Sequence, residues 1–126
     1  MKAIYIEDGT DEMVRAALKE EAEDLYNCKE FEAFDITKGE RKVICEQIRN
    51  AVESAGVIYF DYGGLMYWGS FGGLVDYWNR FFVKLIEDHP NKKWFCRSAL
   101  NTFDDEDKKN LKDLGVNFVI ENILGW

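Results

Sequence analysis

Residues 57–85, VIYFDYGGLMYWGSFGGLVDYWNRFFVKL, constrain the fold more than any other part of this chain. Val57-Ile58-Tyr59-Phe60 is an apolar run of strong β propensity, the mark of a buried strand. Residues 62–69 form a loop punctuated by Gly63, Gly64 and Gly69 and loaded with aromatics. From Phe71 onward, Leu74, Val75, Trp78, Phe82 and Leu85 recur at helical spacing. A buried strand, a glycine-rich loop and an amphipathic helix, in that order, make one βα unit of an open α/β sheet. Ligands of such sheets bind outside the carboxyl ends of the strands, so this loop is expected to wall any small-molecule site.

The same alternation runs along the whole chain. Ala3-Ile4-Tyr5-Ile6 reads as strand one, and residues 7–12 as a turn into a helix with the stripe Val14, Leu18, Ala22, Leu25, capped by Thr10 or Asp11. Residues 31–36 read as strand two, and Lys38-Gly39 as a turn. Residues 40–55 form an amphipathic helix with Ile44, Ile48, Ala51, Val52 and Ala55 on one face, stopped by Gly56 at the usual C-terminal glycine position. The helix of the central unit ends near Asp88-His89-Pro90. Residues 94–100 are strand four, 101–104 a loop, 104–114 a helix capped by Asp104 and stopped by Gly115, and 116–120 strand five.

The order βαβαβαβαβ predicts a single α/β domain over residues 1–126, with three layers and a parallel five-stranded sheet between helices. Five such strands usually take the order 2-1-3-4-5. No helical pattern follows strand five. The apolar strip this leaves is expected to be covered by a second copy, by another protein, or by Ile123, Leu124 and Trp126 folding back.

Composition narrows the function classes. A net charge of −8 disfavours nucleic acid and anionic membranes, which call for a basic surface. No apolar run is long enough to span a bilayer and the N-terminus carries no signal-peptide pattern, so a cytoplasmic location is expected. Cys28, Cys45 and Cys96 form no CxxC or zinc spacing. They read as reduced, buried thiols, with Cys28, nearest a loop, as a redox candidate. His89 is the only histidine, which excludes two-histidine metal sites; at a helix end its charge complements the dipole. The acidic run 104–107 reads as a cap and a solvated face.

Leu65-Met66-Tyr67-Trp68-Gly69-Ser70, followed by Leu74-Val75-Asp76-Tyr77-Trp78-Asn79-Arg80, resembles the third-strand region of the flavodoxin-like NAD(P)H-dependent FMN reductases. That family writes P-x-Y-W-G-S and then L-K-x-F-[IL]-D-R. Tyr67, Trp68, Gly69, Ser70, Leu74 and Arg80 match; the link is one residue shorter, Leu65 replaces proline and Asn79 replaces aspartate. The resemblance implies a flavodoxin-like fold lacking its C-terminal helix. It also implies an FMN-binding protein that passes electrons from reduced nicotinamide to a quinone or free flavin. Met66, Tyr67, Trp68 and Gly69 would then wall the isoalloxazine ring. Asn101 and Thr102, after strand four, would reach its edge, and Gly9 and Thr10 would face the phosphate. No side chain need act as catalyst, because the cofactor carries the redox chemistry.

Two other readings stay open. Residues 7–12, Glu-Asp-Gly-Thr-Asp-Glu, bring four carboxylates to the expected phosphate loop, where they repel a phosphate and can themselves satisfy the helix dipole. This favours a flavin-free interaction module, in which Tyr67 and Trp68 are core or interface aromatics and Asn101-Thr102 is a turn. Glu7, Asp8 and Asp61, expected at carboxyl ends of central strands, form an alternative Mg²⁺ site. Their placement faintly resembles phosphoacceptor receiver domains and the opening of Toprim domains. The lysine and the D-x-D of those families have no counterpart in Glu121-Asn122 or Asp61-Tyr62-Gly63.

Overall fold

The computed structural model describes residues 1–7, 9, 12–61, 73–97 and 105–119. Strands and helices alternate strictly: β1 (Lys2–Glu7), α1 (Glu12–Tyr26), β2 (Glu30–Asp35), α2 (Arg41–Ser54), β3 (Ala55–Asp61), α3 (Gly73–Asp88), β4 (Lys93–Arg97), α4 (Asp105–Asp113) and β5 (Val116–Phe118). The strands form one sheet in the order β2-β1-β3-β4-β5, and every pair is parallel. This is the flavodoxin-like arrangement, and no helix follows β5 among the described residues.

Period-two alternation along each strand sorts the core into two layers. Ile4 and Ile6, Ile58 and Phe60, Trp94 and Cys96, and Val116 point to one face, where they meet Ile44, Cys45, Ile48, Ala51 and Val52 of α2, Trp78, Phe81, Phe82, Leu85 and Ile86 of α3, and Leu111 of α4. Phe82 is fully buried in that layer, with its ring 5.2 Å from Phe60 and 5.4 Å from Phe81. The alternate residues Ala3, Tyr5, Val57 and Tyr59 face α1, which contributes Val14, Leu18 and Ala22. Farther along that face, Phe95 lies between the rings of Tyr59, at 5.4 Å, and Tyr26, at 5.3 Å. The end of α1 therefore covers part of the strip left bare in the sequence reading.

Several local expectations are corrected. Gly56 does not cap α2; it is the second residue of β3. The helix stops because Ala55 turns to extended backbone (φ −86°, ψ 148°) while its N–H still reaches the carbonyls of Ala51 and Val52. The strand's own pairing with β1 takes over there without any left-handed residue. Leu25 is 65% exposed and leaves the α1 stripe, whose buried members end at Ala22. Strand five ends at Phe118, although the Val119 N–H still bonds the Cys96 carbonyl, and residues 98–100 of the expected strand four lie outside the described residues. Gly115 behaves as expected: its φ of +89° closes α4, with its N–H on the Lys112 carbonyl.

The three cysteines are buried and none is in a disulfide. Burial pushes the Cys28 thiol pKa up, which opposes the redox role. His89 does sit at a helix end: its Nδ1 is 3.0 Å from the Leu85 carbonyl, and its Nε2 is 3.0 Å from Glu53 of α2.

Two predictions follow from this packing. Phe82→Ala is expected to cost about 3–5 kcal/mol in urea denaturation, because the cavity lies in a fully buried aromatic stack. The hydrogen bond to Glu53 raises the His89 pKa. A raised folded-state pKa means stabilisation that is complete below the unfolded value and fades as pH rises through the folded one. The stability gap between wild type and His89→Gln should therefore be larger near pH ~5.5 than near pH ~8.5. It should stay below about 1 kcal/mol, since Glu53 is exposed.

Candidate functional site

A parallel sheet brings all carboxyl ends to one rim, and in this order the succession of strands reverses between β1 and β3. The last residues of the first four strands are Glu7, Asp35, Asp61 and Arg97. Register places them side by side. Glu7 pairs with Asp35 and Asp61 with Arg97, and one step beyond the Ile6–Phe60 pair Glu7 lies beside Asp61. Each stands two residues past a position on the α1 face (Tyr5, Ala33, Tyr59, Phe95), so all four share that face. The sheet's apolar layer thus ends in a charged row of sequence Asp-Glu-Asp-Arg.

Three of the four are buried, Glu7 at 1% exposed, Asp61 at 3% and Arg97 at 7%, and Asp35 is half-buried. Charges this deep persist only when paired and hydrogen-bonded. Arg97 Nε donates to Asp61 Oδ1 at 2.9 Å and to the Tyr5 hydroxyl oxygen at 3.3 Å, and the Tyr5 hydroxyl donates to the same Asp61 oxygen at 2.6 Å. Three strands, β1, β3 and β4, meet in this knot. Burial opposes the charge on Arg97, but the field of Asp61 and its hydrogen bond outweigh it and raise the pKa. Glu7 is paired across layers: Arg15 of α1 donates from Nε to Glu7 Oε2 at 2.6 Å, a bond that raises the Arg15 pKa. The other oxygen, Glu7 Oε1, is buried with no hydrogen-bond partner among the described residues.

Asp35 organises the rim beside β2. Its Oδ1 accepts the Thr37 N–H at 2.9 Å and the Thr37 hydroxyl at 2.5 Å, with the Gly9 N–H a weaker influence on the carboxylate. Burial pushes the Asp35 pKa up, yet these donors and Lys38 more than offset it, so the net shift is down. Gly9 has φ +69°, in the left-handed region glycine adopts without strain, and it is exposed.

Of the residues expected in a site, the structure places three. Gly9 lies on the β1–α1 connection against Asp35, and Glu7 and Asp61 lie at neighbouring strand ends, each turned to an arginine. Thr10, Met66, Tyr67, Trp68, Gly69, Asn101, Thr102 and Asp8 lie outside the described residues. Among the described residues no group of three acidic, cysteine or histidine side chains is placed to hold a metal ion. Sequence reasoning missed Tyr5, Arg15, Asp35 and Arg97. The available signal was an apolar residue followed by a charge at each strand end, Ile6-Glu7, Phe34-Asp35, Phe60-Asp61 and Cys96-Arg97.

Arg97→Met removes the countercharge from a carboxylate that is 3% exposed and is expected to cost about 3–5 kcal/mol. The double variant Asp61→Leu/Arg97→Met should recover most of that loss in the same urea denaturation series, because no buried charge is then left unpaired.

The chain was also compared with known proteins, and no protein-family model, curated protein or solved structure matches it.

Proposed function

We propose that this chain is a flavodoxin-like flavin-binding domain. The ligand, FMN in the family it resembles, seats at the carboxyl ends of β1 and β3, and electrons pass from reduced nicotinamide to a quinone or free flavin. The observation that carries this reading is the all-parallel order β2-β1-β3-β4-β5. It sets the strand reversal, where ligands of such sheets dock, directly before the Tyr67-Trp68-Gly69-Ser70 segment that resembles the flavin wall. A flavin supplies the redox chemistry when bound. The chain's part is to stack the ring on Tyr67 or Trp68, to hold the ring edge near Asn101 and Thr102, and to exclude water.

The phosphate end fits less well. The Gly9 N–H, on the connection where a phosphate cradle belongs, contributes to lowering the Asp35 pKa, and the neighbouring rim carries Glu7 and Asp61. That observation favours a second reading, a flavin-free interaction module built on the same fold.

Fluorescence titration separates the two. On the flavin reading, the protein quenches FMN emission with saturable binding, and Trp68→Ala weakens it roughly ten-fold or more through lost ring stacking. Absence of quenching at millimolar protein sinks the flavin reading and leaves the interaction module.

A further inference from the structure

We propose that Glu7 is a ligand-binding residue. Its Oε1 accepts a hydrogen bond from an uncharged donor, a hydroxyl or an amide N–H, of a small molecule seated at the carboxyl ends of β1 and β3. The proposal shares the location of the flavin reading but does not require the ligand to be a flavin.

Glu7 carries an unsatisfied buried atom. Glu7 is 1% exposed, and its Oε2 is bonded to Arg15. Oε1 is buried and accepts nothing from the described residues. Folded proteins rarely keep a buried carboxylate oxygen without a donor, because the group has given up its water. The position is equally specific. Glu7 ends β1, the strand at the reversal point, in the row that carries Asp35 on one side and Asp61 on the other.

The surroundings select the class of ligand. An anionic group would meet three carboxylates in adjacent strand-end positions. A divalent cation needs about six oxygens. Here the neighbouring carboxylates are engaged, Asp61 with Arg97 and Tyr5, and Asp35 with Thr37. Arg15 and Arg97 add positive charge of their own beside Glu7 and Asp61. A neutral hydroxyl or N–H satisfies Oε1 without adding charge beside two carboxylates that already have their arginines.

The test compares wild type with Glu7→Gln and Arg15→Gln. The probes are riboflavin (ring plus uncharged polyol chain), lumiflavin (ring alone) and adenosine, read by thermal shift and by flavin quenching. Glu7→Gln keeps the side chain's size but presents an N–H where an acceptor stood. A probe that binds wild type should bind Glu7→Gln roughly ten- to a hundred-fold more weakly, and Arg15→Gln far less so. A loss confined to riboflavin assigns the donor to the polyol chain, and a loss shared with lumiflavin assigns it to the ring N–H. Equal affinity of wild type and Glu7→Gln overturns the proposal and leaves the flavin reading standing; so does an equal loss in Arg15→Gln, which would place the effect in the ion pair. If neither flavin binds wild type, the flavin reading falls and adenosine decides. Adenosine binding that Glu7→Gln weakens supports the proposal, and no binding or no change overturns it. Should Glu7→Gln fail to fold, isotope-edited infrared spectra of the wild-type protein replace it. The Glu7 carboxylate band shifts with a bound probe if the proposal holds and stays in place if it fails.

Discussion

The bond from Arg97 to Asp61, 2.9 Å long and shared with the Tyr5 hydroxyl, ties the carboxyl ends of β1, β3 and β4 together at the edge of the apolar core. Its strength as a constraint comes from desolvation. Two charges less than 10% exposed have lost most of their water, so each depends on the other and on the Tyr5 oxygen. Sliding β4 by one residue against β3 would send Arg97 to the opposite face, among Phe60 and the α3 aromatics. The pair therefore opposes register errors at the very end of the sheet that a ligand would approach.

That knot also gives the two faces different roles. The layer under α2, α3 and α4 is aliphatic and aromatic along its whole length and holds the fold through burial. The layer under α1 is apolar at the amino ends, with Ala3 and Val57, passes through Tyr5 and Tyr59, and finishes in the charged row. The tyrosines make the transition because each has an apolar ring and a polar tip. The Tyr59 hydroxyl reaches Glu21 of α1 at 2.8 Å, and the Tyr5 hydroxyl reaches Asp61. Polarity rises toward the carboxyl rim, where α/β sheets of this order bind ligands. The unsatisfied Glu7 oxygen stands at that end.

Fold-level features were legible because they rest on periodicity. Alternating β and α patterns, the single glycine that closes α4 and the helix-end role of His89 are local, and local physics decided each of them. Gly56 misled because a glycine after a helical run looks like a cap, whereas pairing with β1 drew the chain straight into a strand. Leu25 misled because at the end of α1 it is Tyr26, one residue on, that packs against the sheet, on Phe95, which leaves Leu25 exposed. Asp61 was read from sequence as a rim carboxylate open to metal. Its partner Arg97 is 36 residues away in the chain, and spacing alone could not reveal the pairing.

By itself, the sequence determined the element order, and with it a parallel sheet with helices on both sides, since strand–helix–strand crossovers permit little else. It also determined the net charge of −8. Only the tertiary structure decided which charges meet. Parallel register set Asp35, Glu7, Asp61 and Arg97 in one row, and loss of water made Asp61 and Arg97 a buried pair and tied buried Glu7 to Arg15 of α1. The reason is physical: an ion's partner in a folded protein is chosen by strand alignment and burial, and neither is encoded in the residues next to it.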